Sequence, residues 1–224
     1  MKKGTFIVID GNDGSGKATQ AKLLIERLEQ DGCNVRTIDF PRYYDNFFGK
    51  FIGECLTGEY GDFISVDPHI ASVVYAADRF ESRDQINAWL DAGDIVIADR
   101  YVSANQIHQG SKITDEQKRI AFMEWLDHME YSAFKLPRPD VVLYLDVPYD
   151  VSLKNLQNKK EKYSEGKVEL SENDHDYQKN SRACGLWLVE KNNEWKKIDC
   201  MDGDTMRTIE DIHEEVYMLI EALL

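Results

Sequence analysis

Basic charge is scarce in this sequence. Lysine and arginine number 27 against 41 aspartates and glutamates, a formal net charge of −14 over 224 residues. Affinity for nucleic acid comes mainly from Lys and Arg contacts to phosphates, so this balance argues against a general nucleic-acid binder. A single phosphorylated small molecule needs only a local cluster of cations and stays open. Cysteine is sparse as well. Cys33, Cys55, Cys184 and Cys200 stand far apart with no C-x-x-C pair, the pattern of reduced thiols in a cytoplasmic protein rather than of a disulfide framework. Neither they nor His69, His128, His175 and His213 fall at metal-ligand spacing, which argues against zinc. Long apolar runs are missing too. Phe6–Ile9 ends at Asp10, short of the about 7–15 apolar residues of a signal peptide. No stretch approaches the roughly 20 of a transmembrane helix. With no linker rich in Pro, Gly or Ser, residues 1–224 read as one domain.

What is present alternates. Apolar runs at Thr5–Asp10, Asn34–Asp39, Asp94–Asp99, Val141–Leu145 and Trp195–Asp199 read as strands. Between and after them, helical spacing marks the segment from Lys17 to Gly32, then Phe47–Leu56, Ile70–Leu90, Glu116–Phe134, Asp150–Lys160, Asp176–Lys191 and Thr208–Leu223. Strands alternating with helices predict an α/β fold, a parallel sheet covered by helices on both faces. The lysine-rich stretch KKEKYSEGK reads as an exposed flap.

The first strand runs into Gly11-Asn12-Asp13-Gly14-Ser15-Gly16-Lys17-Ala18-Thr19, which opens the first helix. This is G-x-x-x-x-G-K between a strand and a helix, the setting that makes a phosphate-binding P-loop credible. The glycines let successive N–H groups turn inward, and the helix N-terminus adds partial positive charge. Lys17 would bridge the terminal phosphates of ATP, and Thr19 could reach the innermost one. The position after the lysine usually carries a Ser or Thr hydroxyl for Mg²⁺. Ala18 offers no oxygen, so a metal would rest on phosphates, waters and a carboxylate. Asp13 and Asp99, the latter at a strand end, are the candidates. Against these roles stand turn formation for Asp13 and an ion pair with Arg100 for Asp99.

Four further motifs occur in order: Asp39-Phe40-Pro41-Arg42-Tyr43, Tyr75-Ala76-Ala77-Asp78-Arg79, Asp99-Arg100-Tyr101-Val102-Ser103-Ala104-Asn105, and Leu136-Pro137-Arg138-Pro139-Asp140. In this order and spacing the chain resembles the thymidylate kinases, P-loop kinases that phosphorylate dTMP to dTDP with Mg-ATP. The resemblance runs from Thr5 to about Pro148 and resumes at the C-terminus. It implies that Arg42 and Arg100 hold the acceptor phosphate, with Arg100 also near the transferred group, and that Tyr43 helps seat that phosphate. Arg79 matches an arginine that bonds a pyrimidine carbonyl, and Tyr75, one turn earlier, an aromatic residue that stacks on thymine. That i, i+4 pair also suits a core aromatic beside a surface arginine. Asp13 matches an acid that contacts the deoxyribose 3′-OH, and Asn105 a position that touches the base. The turn Cys200–Arg207 would border the donor adenine. The resemblance also implies a homodimer, with Ile70–Leu90 and Glu116–Phe134 as plausible faces.

Two departures stand out. His108 occupies a place where the family usually has an aromatic ring crowding the sugar 2′ position, although a plain packing histidine fits as well. The lid, about 155–173, contains no arginine; Lys159, Lys160, Lys162 and Lys167 are its cations, and Glu169-Leu170-Ser171-Glu172 matches the family's acidic lid motif only loosely. The expected activity is therefore transfer of the ATP γ-phosphoryl to dTMP. Kinases for another monophosphate, such as dUMP or a ribonucleotide, and a nucleotide-binding protein that has lost catalysis are the rivals.

Overall fold

The computed structural model describes residues 3–162 and 175–224, the side chains of 158–162 excepted. The side chains of Lys159, Lys160 and Lys162, and the whole of Lys167 and the Glu169–Glu172 motif, lie outside what is described. Five strands, β1 (Phe6–Gly11), β2 (Val35–Asp39), β3 (Ile95–Asp99), β4 (Val141–Asp146) and β5 (Trp195–Asp199), form one parallel sheet in the order β2-β3-β1-β4-β5. Every residue of β1 and β4 is buried, as continuous apolar runs in a doubly covered sheet should be. The edge strands β2 and β5 expose Arg36, Thr37, Lys196 and Lys197, charge and polarity that discourage edge-to-edge pairing.

Alternation along each strand divides the core. Ile7 and Ile9 pack with Leu24 and Leu28 of α1 (Lys17–Gln30) and with Ile212, Val216 and Ile220 of α8 (Ile209–Glu221). Phe6 and Val8 point the other way, to Ile86 and Leu90 of α3 (Pro68–Ala92) and Leu188 of α7 (His175–Lys191). Helix α2 (Phe47–Leu56) lies against α3, and α6 (Tyr149–Lys162) follows β4. Capping residues fix the starts: Asn46 accepts from the Gly49 N–H, Asp67 from His69, and Asp115 from Lys118 at the head of α5 (Glu116–Asp127).

Three differences from the sequence reading matter. Helix α4 (Val102–His108) was absent from it, because seven residues give too few turns for a periodic signal. The expected helix Glu116–Phe134 ends at Asp127 and continues as a π-type turn, His128–Ala133, that carries Glu130 into the interior. A two-stranded hairpin, β6 (Met201–Asp202) with β7 (Thr205–Met206), precedes α8.

Register sets the site. Ile9 pairs with Asp99, and Asp99 with Asp39, so β3 and β2 end level while β1 runs two residues further along β4, to Gly11. The loops that follow Gly11, Asp99 and Asp39 therefore leave the same edge of the sheet side by side. They leave where the chain, having gone from β1 to β2 and back to β3, crosses to β4, which is where open α/β sheets place their ligands.

Candidate active site

The loop after β1 is shaped by its glycines. Gly16, at φ 97°, caps α1 with no side-chain hydrogen bond, so the first N–H groups of that helix stay available to an anion. Gly14, at φ 81°, lets α6 approach: a Cβ there would lie 2.2 Å from the Ser152 carbonyl. Asn155 Nδ2 donates to the Gly14 carbonyl at 2.9 Å, and Asn12 Nδ2 to the Gln178 carbonyl at 3.4 Å, tying the loop to α6 and α7. Lys17 Nζ folds back onto the Gly11 and Asn12 carbonyls at 2.9 and 3.0 Å. Burial, then the Arg100 charge, pull its pKa below the ordinary lysine value, while Asp13, Asp99 and Asp10 oppose them. A cleft of about 750 Å³ opens here, lined by residues 13–20, Asp99, Asn155, Leu156 and the segment Met206–Ile209. The turn expected beside a purine thus contributes Met206 and Arg207 to this wall.

Arg100 stands at the head of the β3 loop with φ 64°, in the left-handed region that side chains usually avoid. Its backbone N–H donates to the Ile9 carbonyl at 3.0 Å, and its guanidinium makes a charged hydrogen bond to Asp13 Oδ1. Burial resists ionisation of both partners. Arg100 and Lys17 nevertheless hold the Asp13 carboxyl well below the usual carboxylate range, and Asp13, Asp10 and Asp99 hold Arg100 protonated. The pair, with Phe40, Pro41 and Tyr43, lines both the P-loop cleft and a second, tighter one.

That second cleft is walled by Tyr75 and Arg79 from α3, by Asn105 and His108 from α4, and by Tyr177. The i, i+4 spacing does place Tyr75 and Arg79 together. Arg79 is not a surface residue: it is 2 % exposed, with Nε and Nη2 on Glu130 and Nη1 on the Tyr101 carbonyl. Asn105 Nδ2 donates to the Ser72 carbonyl at 3.1 Å and to Glu130 at 2.9 Å. The half-buried His108 ring stacks on Tyr177 at 5.8 Å, and both its nitrogens are buried without a partner among the described residues. Burial, and then Arg100, push its pKa down to about 3, so the ring is neutral at pH 7.

Of the expected site residues, Gly11, Asn12 and Arg42 line neither cleft. The Arg42 guanidinium donates to Asp45 at 3.0 and 3.3 Å and to Gln85 at 3.3 Å, although its neighbour Tyr43 lines both clefts. Asp99 faces the P-loop cleft, and Arg100 pairs with Asp13 rather than with it. Three buried acids were not singled out from sequence. Asp10 accepts from Gly11 N–H at 2.8 Å and Ser103 Oγ at 2.6 Å, bracing the P-loop against α4. Asp78 accepts from the Arg42 N–H at 3.2 Å. Glu130 holds Arg79 and Asn105. The available signals were weak: an acid ending the wholly apolar run of β1, an acid inside a helix, and an acid in a stretch otherwise read as amphipathic.

A family model described as thymidylate kinase matches residues 9–216. A probable thymidylate kinase of Thermococcus kodakarensis is 34% identical, with 98% of each chain covered. The thymidylate kinase of Plasmodium falciparum is 28% identical over 96% of this chain and 89% of its own. The solved structure of thymidylate kinase from Candida albicans superposes with a TM-score of 0.74 at 24% identity, covering 98% of this chain and 92% of that one, and so shares the fold. By this match over nearly its whole length, the chain belongs to the thymidylate kinase family.

Proposed function

We propose that this protein transfers the γ-phosphoryl group of ATP to dTMP, giving ADP and dTDP. The observation that carries this reading is the Asp13–Arg100 pair on a wall common to two clefts, one opening on the P-loop and the other on Tyr75, Arg79 and Asn105. ATP phosphates lie on the α1 N-terminus, with residues 11–19 around them and Lys17 swung from its loop carbonyls onto the terminal phosphates. The thymine ring lies on Tyr75, with Arg79 and Asn105 at its edge and Asp13 at the sugar. The acceptor phosphate meets the γ-phosphoryl beside Arg100. Its oxygen is already anionic, so no strong general base is required; positioning and charge neutralisation supply the catalysis. Arg42 joins the acceptor phosphate only by leaving Asp45, an exposed pairing of small energetic worth.

Mg²⁺ fits this donor set as an ion brought in with the nucleotide. Among the described residues no group of three potential ligands exists to cage a metal. Ala18 has no oxygen and Asp13 is engaged by Arg100, which leaves Asp99, with Asp39 beside it, as the carboxylates lining the P-loop cleft. When bound, Mg²⁺ neutralises the charge on the β- and γ-phosphates.

A second acceptor class has one observation in its favour. The two unpartnered His108 nitrogens in the acceptor cleft suit a sugar hydroxyl, which favours ribonucleotide acceptors. ADP release with ATP and Mg²⁺ across dTMP, dUMP and their ribose counterparts tests both readings. Preference for dTMP supports the first, and preference for a ribonucleotide replaces it with the second. Binding of both nucleotides without turnover supports a protein that has lost catalysis. Four free cysteines, and no described helix long and apolar enough to cross a membrane, support a cytoplasmic site of action. A homodimer is supported by Ile70, Val73 and Phe80, exposed along one stripe of α3.

A further inference from the structure

The π-type turn His128–Ala133 delivers one acid, Glu130, fully buried, behind Arg79 and Asn105, two residues that line the acceptor cleft. Three N–H donors converge on it: Arg79 Nε at 2.9 Å, Arg79 Nη2, and Asn105 Nδ2 at 2.9 Å. The second hydrogen of Asn105 Nδ2 goes to the Ser72 carbonyl at 3.1 Å. Both groups facing that amide nitrogen, a carboxylate and a backbone carbonyl, can only accept. The amide therefore cannot flip without setting an oxygen against two oxygens. Its Oδ1, which takes no bond among the described residues, is left to the cleft as a pure acceptor. Arg79, anchored through Nε, Nη2 and Nη1, can offer only donors.

We propose that Glu130 is a positioning residue that fixes the hydrogen-bond polarity of the base site, so that it presents one donor group (Arg79) beside one acceptor (Asn105 Oδ1). This rests on the reading of Tyr75, Arg79 and Asn105 as the acceptor-base site. A 4-keto pyrimidine has the complementary edge, a carbonyl oxygen beside a ring N–H. A 4-amino pyrimidine has the reverse, an amino group beside a bare ring nitrogen, and would set donor against donor and acceptor against acceptor. Selectivity between the two then depends on a carboxylate that touches neither.

The test compares kcat/KM for dTMP and dCMP in the parent, Glu130→Gln and Glu130→Asp, with thermal melts and the KM for ATP alongside. A glutamine offers one acceptor oxygen to the three converging N–H groups, and an aspartate is a methylene too short to reach both partners. The glutamine oxygen cannot serve both Arg79 Nε and the Asn105 amide, so either Arg79 or Asn105 loses its anchor, and in the aspartate variant Asn105 keeps only Ser72. The dTMP-to-dCMP ratio is expected to fall at least about tenfold. The change should lie mainly in the KM for dTMP, and the KM for ATP should stay put, which general loosening of the fold would not produce. An unchanged ratio in a folded variant overturns the role of Glu130 while leaving the base site standing. Should neither variant fold, the parent decides: dTMP methylated at N3 must bind far more weakly than dTMP, and equal binding overturns the fixed polarity. A parent that binds dCMP as well as dTMP overturns the underlying base-site reading itself.

Discussion

At the scale of single residues, the site is a problem of holding like charges together. Lys17, Arg79 and Arg100 face the two clefts, and each is held by acceptors of its own chain: loop carbonyls, Glu130 and Asp13 respectively. Removing Arg100 takes away the cation nearest the proposed transfer and leaves Asp13 with one charged neighbour fewer. Arg100→Ala should lower turnover by about a thousandfold, and Lys17→Ala by at least about a hundredfold, with circular dichroism unchanged. Near-normal turnover by a folded Arg100→Ala protein would refute that assignment. His108 gives a pH signature. Unfolded it titrates near 6.5 and folded near 3. Between those values the unfolded chain binds the extra proton, so His108 withdraws stability as pH falls, by at most about 1.4 kcal/mol per pH unit. Buried Asp10 and Asp78, whose pKa values burial raises, act in the opposite sense. The effect is therefore read as a difference: in urea titrations from pH 7 to pH 4, His108→Gln should lose less stability than the parent.

At the scale of elements, the phosphate-facing groups sit at ends rather than middles, whereas Tyr75 and Arg79 lie inside α3. The P-loop is the end of β1, Arg100 the end of β3, and Thr208 the start of α8, where its hydroxyl accepts from the Asp211 N–H at 3.1 Å. Thr208 and Ile209 also line the P-loop cleft, and the Ile209 carbonyl accepts from Gln20 Nε2 of α1 at 3.0 Å. Loss of the cap should cost about 1 kcal/mol in urea unfolding. Thr208→Ala should also raise the KM for ATP more than that for dTMP, because only the donor wall shifts. This arrangement explains what was legible in advance. The strands and long helices declared themselves by unbroken apolar runs and helical spacing, and the P-loop by glycines whose backbone conformations few other residues adopt. Helix α4 and the π-type turn did not, since neither is long enough to show a period. With them went the partners of Arg79 and Asn105. A side chain's type can be read from sequence, but the acid that orients it lies 51 residues away for Arg79 and 25 for Asn105, placed by the fold alone. Arg42 shows the converse: its motif is plain, yet the guanidinium turns to Asp45, three residues on in the same loop.

At the scale of the whole molecule, the charge of −14 and the exposed stripe on α3 pull in opposite directions. Two such chains repel at long range, so any association must be driven by apolar contact, and salt should strengthen it by screening the repulsion. Ile70 is 63 % and Val73 43 % exposed, and with Phe80 they lie within one side of the helix. Isolated apolar side chains on a surface are ordinary, but a stripe along a single helix is the kind of face that the proposed homodimer would cover. A carboxylate placed in that stripe would be buried unpaired in the dimer and solvated in the monomer. Val73→Glu should therefore shift the protein from dimer to monomer in sedimentation velocity at micromolar concentration, without lowering the melting temperature of the monomer. No residue of α3 lines the P-loop cleft, so the monomeric variant should still bind ATP, as followed by nucleotide-induced thermal stabilisation. A parent that sediments as a monomer at every salt concentration would remove the dimer and leave the α3 stripe as simple exposed surface.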